Sequence, residues 1–103
     1  MSPKAAIPAP EGLSERSRRV WEAETRRTKS AGRLLLLEQA LRCLDRADEL
    51  RALVDKDGLT TTTEKTGAVH VHPLLKAEQA ERGMFVKLAR VLNLEWVMTV
   101  DGE

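Results

Sequence analysis

Two histidines, one cysteine and a crowd of arginines near the N-terminus are the side chains of this 103-residue chain whose types and spacing could do chemistry. His70 and His72 alternate in the run AVHVH, so on a strand they share one face and could present two imidazoles to a single metal ion. No cysteine or carboxylate stands nearby at a spacing that would complete four ligands, so no metal is expected and the pair is read as structural, with His72 entering a helix beside Pro73. Cys43 sits inside a helical pattern with no base partner to make it a nucleophile, and is read as a small buried apolar residue. The threonines Thr60 to Thr63 read as strand formers before they read as phosphorylation targets. There is no GxxxxGK[ST] loop to cradle phosphates and no carboxylate cluster at metal-binding spacing, so no cofactor is expected and an enzyme is the least expected class.

The basic residues make the strongest pattern. The net charge is only +1, yet residues 1–33 carry eight Lys/Arg (Lys4, Arg16, Arg18, Arg19, Arg26, Arg27, Lys29 and Arg33) against four Glu. The rest of the chain is slightly acidic. Lined along one helix, Arg16, Arg18, Arg19, Arg26, Arg27 and Lys29, with Arg33 just beyond, are candidate contacts to nucleic-acid phosphates. The plainer reading is a solvated face whose arginines pair with Glu15, Glu22 and Glu24 at helical spacing.

The elements that must position these groups follow from periodicity and punctuation. Residues 1–12 hold three of the four prolines and read as a flexible lead-in. Ser14 is suited to cap a first helix through SERSRRVWEAETRRTK, whose apolar stripe is narrow and whose Trp21 is a packing anchor or subunit contact. After a break at Ser30-Ala31-Gly32, Leu34, Leu37, Leu41, Leu44, Ala47 and Val54 recur at helical steps and predict a long second helix over about 33–56. Gly58 suits the position after its end. LTTTTE and GAVHVH around Lys65-Thr66-Gly67 predict a β-hairpin over 59–72, and Pro73 suits the first position of a third helix reaching Leu92, with Asn93 closing it left-handed. Gly83 inside that helix predicts close approach by another helix. The tail EWVMTVDGE reads as a short strand or arm. The expected fold is mainly α: three helices with a β-hairpin between the second and third, in one domain over 13–94, followed by an arm over 95–103.

A chain this short with 3% aromatic residues builds a modest core, and association is expected. Trp21, Leu34, Leu37, Leu41 and Leu44, with Val69 and Val71 of the hairpin, are the candidate oligomer interface. A lone cysteine implies a reducing compartment, and no apolar run reaches membrane-spanning length, so a cytoplasmic location is expected, with no membrane partner.

The order of these features resembles the phage terminase small subunits. Trp21, the run LLLLEQALRCLDRADE, Asp57-Gly58-Leu59, Gly67, and His72-Pro73-Leu74 followed by Glu78 and Arg82 carry the resemblance, which covers about residues 13–94. It implies a non-catalytic protein in the host cell cytoplasm that assembles into a homo-oligomeric ring. It also implies binding of double-stranded phage DNA near the packaging start and recruitment of the terminase large subunit, which holds the ATPase and nuclease. The chain is short for that family, and WVMTV replaces its usual polar ending. Two other classes fit the same residues: a structural oligomer of connector or scaffold type that does not bind DNA, and a small dimeric DNA-binding regulator reading half-sites about one helical turn apart.

Overall fold

The Leu-rich segment forms the longest helix among the described residues. A computed structural model describes residues 7–58, 60–62 and 69–94, and in it three helices follow one another: α1 (Glu15–Arg27), α2 (Ala31–Asp57) and α3 (Pro73–Leu92). The packing of α3 on α2 is the principal one, and α1 lies against α2 as well. The 27-residue α2 spans about 40 Å at the helical rise of 1.5 Å per residue.

Each end has a local cause. Ser14 takes an extended conformation and accepts the Ser17 N–H, capping α1. Ser30 caps α2 by accepting the Arg33 N–H, so Ala31 and Gly32, expected to break the chain, belong to the first turn of α2. Gly58 ends α2 at φ 92° and ψ 154°, a conformation essentially confined to glycine. Asn93 is left-handed at φ 55°, and the Leu94 N–H returns to the Ala89 carbonyl, the six-residue closure that ends many helices. Leu94 is buried beneath it.

His72 caps α3 with its ring. Nδ1 accepts the Leu74 N–H at 3.1 Å, so the ring proton sits on Nε2, which donates to Asp57 at 3.0 Å. The imidazole is buried and ties the end of α2 to the start of α3.

The expected β-hairpin over 59–72 is corrected: the fold is helical, and no such hairpin stands as a component of it. Between α2 and α3 the described residues show only a contact three residues long on each side, Thr60–Thr62 antiparallel to Val69–Val71. His72, placed in the second strand by its alternation, leaves the ladder to cap the helix. Val71 is 63% exposed, so its side chain is not buried beneath the helices, and a short two-stranded ribbon has little stability of its own. The turn at Lys65-Thr66-Gly67 and the arm over 95–103 lie outside the described residues.

The core gathers where all three helices meet. Leu13, Trp21, Leu37, Ala40, Leu41, Ala89, Leu92 and Leu94 are buried together, with Val20, Leu34, Phe85 and Leu88 packed around them. Ile7 and Ala9 of the lead-in join this cluster, and the Ile7 carbonyl accepts the Trp21 indole N–H at 2.9 Å. The second correction concerns Gly83: a Cβ built there meets nothing within 4 Å, so among the described residues no helix approaches it. With no contact to disturb, Gly83→Ala should raise the unfolding free energy by about 0.8 kcal/mol in urea titration, the helix-propensity difference between the two residues. A loss of stability would show that the site is packed.

Candidate nucleic-acid interface

The first helix is held in place by a carboxylate from the second. Asp45 is 9% exposed and lies at the start of α1, where it accepts the Ser14 N–H at 2.7 Å, the Ser14 hydroxyl at 2.7 Å and the Ser17 hydroxyl at 2.6 Å. A negative charge there also meets the positive end of the helix dipole. Ser17, Trp21, Glu24 and Thr25 form the buried side of α1, which leaves its opposite side in solvent.

All five arginines of α1 are exposed, as is Lys29, while Arg33 is half-buried. Their partners divide them. Arg18 and Arg19 share Glu15 at 2.6 and 3.5 Å. Arg27 reaches the buried carboxylate of Glu24 at 3.1 Å, so its charge compensates one inside the fold. Arg16 pairs with Asp48 of α2. Lys29 donates to the Thr25 carbonyl at 2.7 Å, and the Arg33 guanidinium donates to the Leu92 carbonyl at the negative end of α3. Arg26 has no ion pair or side-chain hydrogen bond among the described residues. Arg33, Lys29, Arg27 and Arg16 therefore serve the fold, and Arg18, Arg19 and Arg26 point outward with light attachments.

Asp48 opens a charge network that joins all three helices. It accepts from Arg16 of α1 and, at 3.2 Å, from Arg82 of α3. Arg82 also donates to Glu78 at 2.8 Å, and Arg46 of α2 pairs with Glu81 at 3.4 Å. Glu78 is buried; its Oε1 makes no hydrogen bond but faces the Arg51 guanidinium at 3.6 Å. The hydrogen bond from Arg82 holds the Glu78 carboxyl below its ordinary value of 4.5, against the opposing effect of burial, and the charges of Arg82 and Arg51 add to it. The same pair raises Arg82. Two residues of the terminase resemblance, Glu78 and Arg82, thus form an ion pair that supports helix packing.

The residues expected at an oligomer interface differ in their exposure. Trp21, Leu37 and Leu41 are buried within their own subunit, and Leu34 and Leu44 are half-buried. Val71 is exposed, and the side chain of Val69 lies outside the described residues. The large apolar side chains that the fold leaves in solvent include Leu35 at 69%, Leu53 at 46%, Val91 at 65% and Met84 at 42%. Periodicity chose the inner face of α2 because repeating leucines mark burial without saying against what.

Cys43 is buried, and burial pushes its thiol above the ordinary 9.0, with Glu81 adding to the shift; it is not a poised nucleophile. Among the described residues no group of three or more His, Cys, Asp or Glu is placed to hold a metal ion, and no helix is long and apolar enough to cross a membrane. What a reading by charge density overlooks is α3, where Lys76, Lys87 and Arg90 are exposed and form no side-chain ion pair or hydrogen bond among the described residues. Their signal was spacing rather than number. Comparison with known proteins returns no matching family model, no curated relative and no similar solved structure.

A carboxyl depressed in the folded state contributes stability that is present above its unfolded value and is lost as pH falls through the folded one. Unfolding free energy should therefore decline on acidification below about 4.5, the ordinary value, and Glu78→Gln should flatten that decline while lowering stability at pH 7. Urea titrations from pH 7 to pH 3 measure both. Parallel curves for the two proteins would show that Glu78 is not a source of the acid sensitivity.

Proposed function

We propose that this protein is a non-catalytic, oligomeric DNA-binding adaptor of the terminase small-subunit kind, which binds double-stranded viral DNA and recruits a separate large subunit. The single observation that carries the reading is the asymmetry of α1: its five arginines are exposed while Glu24, one of its three glutamates, is buried. The outward side is therefore positive. Its remaining ion pairs are surface pairs, worth at most about 1 kcal/mol each and readily exchanged for phosphate. A single copy offers few such charges, and a homo-oligomeric ring would repeat them, turning weak contacts into avidity. The resemblance in element order supports the same reading and supplies the partners, phage DNA and the large subunit, in the host cytoplasm.

A structural oligomer without DNA binding is the second reading, and the exposed Leu35, Leu53, Met84 and Val91 favour it. Native mass spectrometry and DNA titration separate the two. The adaptor should assemble beyond four subunits and bind duplex DNA with an affinity that falls steeply with salt. Arg19→Gln with Arg26→Gln, which touches no buried partner, should reduce the slope of log affinity against log salt by about two per subunit engaged, since each phosphate contact contributes about 0.9. An assembly that ignores DNA at low salt would leave the structural reading, and a dimer on DNA would favour a regulator.

A further inference from the structure

Four residues of α3 fall on one outward line: Lys76, Gly83, Lys87 and Arg90, separated by steps of seven, four and three, which on a helix keep them within one narrow stripe. All four are exposed, as are the flanking Gln79 and Ala80. No acidic residue shares the stripe, because the two glutamates of α3 turn away from it: Glu78 is held by Arg82 and Arg51, and Glu81 by Arg46.

Two features of this stripe oppose the stability of the helix itself. Lys76 puts a positive charge in the first turns of α3, at the positive end of the dipole, where the helix's own first turn holds no acidic residue and the nearby Asp57 carboxylate is engaged by the His72 cap. Gly83 interrupts the middle of a 20-residue helix although a Cβ there would meet nothing within 4 Å. Neither choice is explained by packing within the subunit. Both suit a polyanion outside it: the lysine meets negative charge, and the glycine lets that partner come close to the helix backbone.

We infer that this face of α3 is a second DNA-contacting surface, with Lys76, Lys87 and Arg90 as phosphate contacts and Gly83 as the point of closest approach. Duplex DNA is the polyanion whose dimensions this stripe fits. Lys76 and Lys87 are about 16 Å apart along the axis, and Lys76 and Arg90 about 21 Å, more than the roughly 12 Å width of the major groove. A helix laid across the groove would therefore place Lys76 on one bordering strand and the Lys87–Arg90 pair on the other, with Gly83 over the opening. The surface adds to that of α1 and rests on the DNA-binding reading given above.

The test compares the intact protein, a Lys76→Gln/Lys87→Gln/Arg90→Gln triple variant, and the Arg19→Gln/Arg26→Gln variant on one duplex across a salt series. The triple variant should lose about a hundredfold in affinity at 0.1 M salt and about three units of salt slope per subunit engaged, with circular dichroism and assembly unchanged because none of the three side chains has a partner among the described residues. Arginine at positions 76 and 87 should restore binding. A triple variant with unchanged slope, alongside a weakened α1 variant, would overturn the α3 surface and leave the DNA-binding reading standing. Failure of the intact protein to bind DNA at low salt would overturn both, and an intact protein that binds an acidic peptide through these three residues more tightly than duplex DNA would overturn the choice of DNA as the occupant.

Discussion

The carboxylate of Asp45 is the constraint that holds the arginine-bearing first helix on the packed pair of α2 and α3. The first helix of this chain has thirteen residues, short enough to be marginal in isolation, and buries few apolar side chains beyond Trp21. It stays on α2 because one buried oxygen pair satisfies a backbone donor and two hydroxyls at the place where a helix leaves donors unmet. Hydrogen bonds to a charged acceptor are roughly twice as strong as neutral ones. Once the start of α1 is pinned, the burial of Trp21 and Thr25 sets which side of it faces inward, and its arginines face outward as a consequence.

Charge in this protein has two uses that composition cannot separate. Arg16, Arg33, Arg46, Arg51 and Arg82 hold helices together, through buried or shared carboxylates or at a helix end, and Arg27 neutralises the buried Glu24 of its own helix. Arg26, Lys76, Lys87 and Arg90 are exposed and form no side-chain ion pair or hydrogen bond among the described residues. A small domain with few aromatic residues leans on the first kind, because its apolar core is modest.

Much of the fold was legible in the sequence. Ser14, Pro73 and Asn93 are punctuation with a local cause, and the helix boundaries they imply agree with the structure within a few residues. Ser30 was misread because Ser-Ala-Gly resembles a break until the serine side chain is seen to cap. The hairpin was over-read: threonines and alternating valines favour extended backbone, but propensity does not supply a surface to lie on, and His72 answers to the helix rather than to the strand. Gly83 was assigned a packing role for want of any view of its surroundings. Trp21, Leu37 and Leu41 are buried as their spacing leads one to expect, and the helices of the same subunit supply the cover. The Asp45 contact, linking residues 31 apart, had no local signature, and neither did the freedom of Lys76, Lys87 and Arg90.

Hydrogen exchange of the Asp45→Asn variant tests the central claim most directly. An amide in place of the carboxylate keeps the shape, removes the charge and brings donors against donors. The account predicts that amides of α1 lose protection by tenfold or more, while those of α2 and α3 around Leu41, Ala47 and Ala89 keep theirs. Unchanged protection across Glu15–Arg27 would contradict it, because α1 would then be held by its apolar contacts alone.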